Sequence, residues 1–301
     1  MTKHLINLYD WTADEIEALF ESADRLRSRP KRERLLEGRT FLLFFPESSL
    51  RTRLTFERGI RELGGDCVMF PPSTLDKREE LRDVAGYAAN WADGLIVRHA
   101  DEPRLRELAE SSPIPVVNAM TSLSHPCEIL ADLYALKQRR PDYRNLIYVY
   151  VGPMSNIGRS WANAAQVMNL EFRHVCAEGY ELEPGEAYPN DVATLRNYNF
   201  YTDIEQALNG SDVILTDSLP DDLRTPDYAG KYQVTAERLR LANPGALLNP
   251  CPPFYRGEEV SDDAIESEQF VGYAFKRYLL TVQQAIILSL QQTGKKEGGA
   301  E

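Results

Sequence analysis

The sequence predicts an α/β protein made of two doubly wound parallel-sheet domains joined by helices, with a C-terminal helix packing back on the first domain. Two observations carry this expectation. Short apolar runs alternate with segments whose apolar residues recur every three or four positions, the pattern of parallel strands with crossover helices. The length of 301 residues suits about two such domains.

The strand-like runs begin with "TFLLFF" (40–45), "CVMF" (67–70), "GLIVR" (94–98) and "IPVVNA" (114–119). They continue with "LIYVYV" (146–151), "FRHVCA" (172–177), "DVILT" (212–216) and "ALLN" (246–249). Segments such as "EPRLRELAES" and "IGRSWANAAQVM" have helical spacing. "HPCEILADLYALKQRRPDY" (125–143) reads as a helix stopping before Pro141, which puts the domain boundary near residue 135. The expected divisions are 1–135, 136–275, a returning helix over 276–293 and a disordered tail over 294–301.

The composition narrows the function. A net charge of −12 disfavours nucleic acid as a partner. No apolar run approaches the roughly 20 residues of a membrane span, and "MTKHLINLYD" lacks the apolar core of a signal peptide, so a cytoplasmic protein is expected. Four scattered cysteines form no CxxC pair, and neither a Walker loop nor a cluster of metal ligands appears; no metal or cofactor is expected.

Against that acidic background, "ESSLRTRLTFERG" (47–59) is distinctive. It follows the first strand and opens a helix that Ser49 would cap and Gly64-Gly65 would close. Leu54, Ile60 and Leu63 would face the sheet, leaving Arg51 and Arg53 in the first turn. Cations there oppose the helix dipole by about 0.3–1 kcal/mol each, so a solvated basic face explains them less well than a bound phosphate does. Arg98 and His99 end the third strand, and His125 follows the fourth, seven residues after Asn118. Such strand ends form a concave cluster of donors in open α/β sheets.

These residues identify a resemblance to the aspartate/ornithine carbamoyltransferases over nearly the whole chain. "SLRTR" resembles the family's Ser-Thr-Arg-Thr-Arg phosphate loop, and "HPCEILADL" its His-Pro-x-Gln-x-Leu-x-Asp-Leu motif. "STLDKREELRD" is similar to its mobile loop with Ser73 and Lys77, and "LLNPCPP" stands where the family has His-x-Leu-Pro-Arg. The resemblance implies carbamoyl phosphate as first substrate, an amine as second, and a homotrimer with shared active sites. It implies Ser49, the Leu50 N–H, Arg51 and Thr52 on the phosphate; Thr52, Arg98 and His125 on the carbonyl; and Ser73 and Lys77 from an adjacent subunit. Arg277 matches an arginine that in the ornithine branch reaches the carbonyl, although a charge capping a buried helix is an equal alternative.

Four departures stand out. Leu50 replaces a threonine whose backbone N–H can still serve. Glu128 replaces the glutamine beside the carbamoyl amide; a carboxylate can accept from that NH₂, or can simply cap its helix. "NPCPP" lacks the family's His and Arg, though carbonyls around Cys251 could still accept, and Pro252 matches a proline that follows a cis peptide. "TDSLPDDL" starts like the ornithine branch, with Asp217 on the acceptor's amino group, but loses the Ser-Met-Gly that should follow; Asp221 and Asp222 read as solvated charges. Asn156 matches a residue that holds ornithine's carboxylate, and Arg159 resembles a carboxylate-binding arginine of the aspartate branch. A diamino acid acceptor is therefore expected over L-aspartate. The competing expectations are a catalytically silent, carbamoyl phosphate-binding or structural paralogue, and a nucleotide-binding oxidoreductase, which the absence of GxGxxG disfavours.

Overall fold

The structure, a computed structural model of the chain, describes residues 2–29, 33–183 and 197–293. The chain divides into two compact units, one of Met1–Ala135 with Arg277–Glu301, the other of Leu136–Lys276. The expected tail over 294–301 lies outside the described residues.

The first unit opens with α1 (Ala13–Ser28), started by a capping box between Thr12 and Glu15. Strand β1 (Thr40–Phe44), α2 (Arg51–Glu62) and β2 (Asp66–Phe70) follow, then a 3-10 turn over Pro72–Asp76 and α3 (Leu81–Ala88). Next come β3 (Gly94–Arg98), α4 (Glu102–Ser111) and β4 (Val116–Met120), and α5 (Pro126–Arg139) carries the chain onward. The four strands are all parallel in the order β2-β1-β3-β4. The chain thus winds from β1 outward to β2, then returns to lay β3 on the other side of β1. The gap between the carboxyl ends of β1 and β3 is this sheet's switch point, where open sheets bind ligands. An extra residue in β4 shifts the register beside Arg98, because Val97 pairs with Asn118 while Arg98 pairs with Met120. Phe44, Leu75, Leu95, Val97, Leu105 and Val116 pack one face of the sheet.

The C-terminal helix, Tyr278–Thr293, packs on α1 and α2 of the same unit. Gln284 donates to the Gly59 carbonyl at 2.9 Å, and a Cβ on Gly59 would come within 3.2 Å of Gln284 Cγ. The stretch before it, Tyr273–Arg277, is a 3-10 turn, so the returning helix starts two residues later than the expected 276.

The second unit holds β5 (Ile147–Val151), α6 (Asn156–Met168), β6 (Glu171–Val175), β7 (Tyr198–Tyr201), α7 (Ile204–Leu208) and β8 (Val213–Thr216). It continues through α8 (Pro226–Tyr232), α9 (Ala236–Leu239), β9 (Leu247–Pro250) and α10 (Asp262–Ile265). Its strands are also parallel, in the order β7-β6-β5-β8-β9, so the switch point falls between β5 and β8. Val149, Val151, Val175, Ile214 and Leu248 form its core. Strand β7 escaped the sequence reading because "YNFY" is a partly exposed edge strand with no apolar run.

Candidate active site

In the first unit, the turn after β1 and the end of β3 meet across the switch point. Ser49 is 3% exposed, and its hydroxyl accepts from Arg98 Nη1 at 3.1 Å. That contact corrects the expected cap: the N-cap residue is Leu50, and no side chain caps the helix. The first N–H groups of α2, which have no intrahelical partners, are thus left to an external acceptor. No acid stands in the first turn. Leu50 itself is 71% exposed.

Thr52, Phe56, Gly59 and Ile60 form the buried face of α2, so Leu54, half a turn from Thr52, is 58% exposed rather than against the sheet. Arg53 lies 3.8 Å from Glu57 in an i,i+4 pair. Arg51, in the first turn of α2, is exposed, and its charge is felt at Arg98. Burial first, and the Arg51 charge second, push the Arg98 pKa below its ordinary value. Two like charges near an uncapped helix start make a setting that suits an anion.

His125 is 6% exposed and directly precedes α5; Glu128, in that helix's first turn, is 8% exposed. The loop that presents His125 is fixed by a buried acid, Glu102, which accepts from Thr121 Oγ1 at 2.8 Å, from the Ser124 hydroxyl and from Asn7 Nδ2 at 3.3 Å. Asn118 Nδ2 donates to Ser124 Oγ at 2.9 Å and to the Ile6 carbonyl at 2.8 Å. Sequence reasoning missed Glu102, since an acid in a helix's first turn looks like a dipole complement and nothing shows that its carboxylate turns inward. His99 departs from the expected donor cluster: its Nε2 lies 2.9 Å from Asp76 Oδ1. Ser73 and Lys77 are exposed on the segment after β2. Arg277 is exposed, with its guanidinium 5.2 Å from the Tyr278 ring centre.

In the second unit, Ser155 caps α6 by accepting from the N–H groups of Ile157 at 3.1 Å and Gly158 at 3.2 Å. It also lies 2.9 Å from the Tyr150 hydroxyl. Gly158 permits this close approach, because a Cβ there would lie 2.7 Å from the Tyr150 ring. Asn156 and Arg159, both half-buried, occupy the first turn of α6 at the end of β5. Asp217, half-buried, follows β8 across the same switch point and accepts from the Ser218 N–H at 2.9 Å. Cys251 is 8% exposed, and its N–H donates to the Thr216 carbonyl at 2.9 Å. The cis bond expected before Pro252 joins Pro252 to Pro253 instead, one residue later in the same Pro-Pro pair. Asp221 pairs with Arg224 at 2.8 Å, and Asp222 accepts from the Tyr180 hydroxyl at 2.8 Å.

A second carboxylate of this unit feels the charge of Asp217. Glu259 is 3% exposed and accepts from the Tyr255 N–H at 2.7 Å. Burial pushes its pKa up to about 7, and the charges of Glu258 and Asp217 add to the shift. The sequence showed it only as one acid in an acidic stretch.

The class is therefore a protein of two doubly wound units, each with polar, ligand-type groups at its switch point. A family described as aspartate/ornithine carbamoyltransferase, carbamoyl-P binding domain, matches residues 3–138, and its Asp/Orn binding domain matches residues 144–290. The ornithine carbamoyltransferase of Syntrophotalea carbinolica is 32% identical over 308 residues, covering 96% of this chain and 99% of that protein. The crystal structure of ornithine carbamoyltransferase from Burkholderia thailandensis superposes with a TM-score of 0.85 at 29% identity, covering 94% of this chain and 96% of the other. An N-acetyl-L-ornithine transcarbamylase complexed with PALAO gives 0.82 at 26% identity, covering 96% and 99%. The chain belongs to the aspartate/ornithine carbamoyltransferase family, and its reaction class is carbamoyl transfer.

Proposed function

We propose that the protein transfers the carbamoyl group of carbamoyl phosphate to one amine of a diamino acid, ornithine or an analogue, and releases phosphate. The observation that carries this reading is the uncapped, acid-free start of α2, with Arg51 in its first turn and Arg98 donating to Ser49 just before it. A phosphate dianion there satisfies both guanidiniums, the hydroxyls of Ser49 and Thr52, and the backbone N–H groups from Leu50 onward. The acceptor nitrogen forms a bond to the carbonyl carbon while the bond from that carbon to the phosphate oxygen breaks. The leaving phosphate takes the proton that the nitrogen loses. Negative charge grows on the carbonyl oxygen, and Thr52, Arg98 and His125 donate to it; Arg277 has the same role in this reading. Losing one such donor costs about 10²–10³-fold in rate. Glu128 and the backbone carbonyl of Cys251 accept from the carbamoyl NH₂. Ser73 and Lys77 bind the donor substrate from a neighbouring copy in a homotrimer.

On the second unit, Asp217 holds the acceptor's non-reacting ammonium, while Asn156 and the Arg159 fork hold its carboxylate. The Asp217 carboxylate favours a cationic acceptor and disfavours L-aspartate. Similarity to both ornithine carbamoyltransferases and an N-acetyl-L-ornithine transcarbamylase supports the amino-acid class without selecting one member. Calorimetric titration of Arg51→Ala with carbamoyl phosphate tests the donor site. Binding should be lost while the melting temperature stays within about 2 °C of wild type, since an exposed helix-start arginine adds little to the fold. Unchanged affinity would sink the assignment.

A further inference from the structure

Three consecutive residues leading into Lys77 are gripped from outside their own segment. The Leu75 side chain is 4% exposed and packs with Phe44, Leu81, Val97 and Leu105. Its carbonyl accepts from Arg104 Nε at 2.8 Å and from Arg104 Nη2. The same Nη2 donates to the Lys77 carbonyl at 3.3 Å, and Arg104 Nε lies 3.6 Å from Asp76 Oδ1. His99 holds Asp76 from the end of β3. Its Nδ1 accepts from the Asp101 N–H at 3.1 Å, so Nε2 carries the ring proton and donates it to Asp76 Oδ1 at 2.9 Å.

Arg104 is itself anchored near the start of α4, where its N–H donates to Asp101 Oδ1 at 3.0 Å. One guanidinium thus spans two carbonyls and a carboxylate, a job for a planar fork that a lysine cannot do. Beyond this grip, Lys77 to Glu80 are exposed and precede α3 without regular structure.

We infer that Arg104 and His99 latch the segment Leu75–Lys77, and that Arg104 is a positioning residue through which Lys77 is set for carbamoyl phosphate. The first half stands on the contacts; the second rests on the role proposed for Lys77. Without the latch, the segment keeps only the Leu75 anchor, and its backbone opens locally.

Trypsin reads the latch directly, because Lys77 and Arg78 are its cleavage sites. In the full chain, Arg104→Ala should speed cleavage after these two residues about tenfold while cleavage elsewhere and the melting temperature stay as in wild type. Arg104→Lys should give part of the same effect. The KM for carbamoyl phosphate should rise as in Lys77→Ala, and the double variant should be no worse than Lys77→Ala alone. Wild-type cleavage in both Arg104 variants, or acceleration spread over the whole chain with a lowered melting temperature, would overturn the latch. KM effects that add in the double variant would overturn positioning through Lys77. An unchanged KM in Lys77→Ala itself would instead remove the role given to Lys77, and the cleavage comparison would still decide the latch.

Discussion

Glu128 is the residue where carboxylate chemistry and helix chemistry compete. It sits in the first turn of α5, 8% exposed, where an acid complements the helix dipole whatever else it does. As an acceptor for the carbamoyl NH₂ it is replaceable by the family's glutamine, so Glu128→Gln should keep substantial turnover and Glu128→Ala should lose it. Steady-state rates alongside thermal melts decide this: full activity in the alanine variant, with stability lowered by about 1 kcal/mol, leaves only the capping role. At this scale the sequence was legible by residue type more than by direction. Arg51 falls in the first turn of α2 as its spacing indicated, whereas Ser49 turns to Arg98 instead of capping, and His99 turns to Asp76. Spacing places a side chain on an element, but its rotamer is chosen by neighbours distant in the chain.

Strands β5, β6 and β7 are tied by a single ring. His174, fully buried in β6, lies 2.8 Å from the Gly152 carbonyl after β5 and 2.8 Å from the Tyr198 hydroxyl in β7. Burial lowers its pKa from 6.5 to about 4. Unfolded chains take up a proton below pH 6.5 that the folded protein refuses, so His174 makes stability fall as pH drops toward 4. Glu259 has the opposite sign: the fold keeps its proton up to about pH 7, against 4.5 unfolded, so its contribution is lost as pH rises through 7.

From pH 7 to 5 the two slopes offset each other, at about 2 kcal/mol apiece. Urea unfolding should show Glu259→Gln losing about 2 kcal/mol over that interval and His174→Gln gaining about as much, each relative to wild type. Equal pH dependence in all three proteins contradicts the assignment. Elements were the most legible level, since eight apolar runs fall on eight strands. The ninth among the described residues, β7, has two exposed residues and no apolar run to announce it.

The two switch points follow from strand order, which no local pattern reveals; only the alternation of strands and helices made a doubly wound sheet the expectation. Assembly is less legible still, because a subunit contact leaves no periodic mark. The proposed trimer with shared sites has a direct test. Mixing Lys77→Ala with Arg51→Ala chains under proven subunit exchange should restore part of the activity, since some sites would combine two intact contributions. A mixture as inactive as its parents would refute sharing.

The most direct measurement of the proposed function is release of phosphate from carbamoyl phosphate against a panel of ornithine, N-acetylornithine, putrescine and L-aspartate, with the carbamoylated product confirmed by mass. A diamino acid or its modified analogue should be the best acceptor, and Asp217→Asn should weaken its use without changing carbamoyl phosphate binding. L-Aspartate as best acceptor would contradict the acidic acceptor site, and putrescine turned over without any amino acid would remove the roles of Asn156 and Arg159.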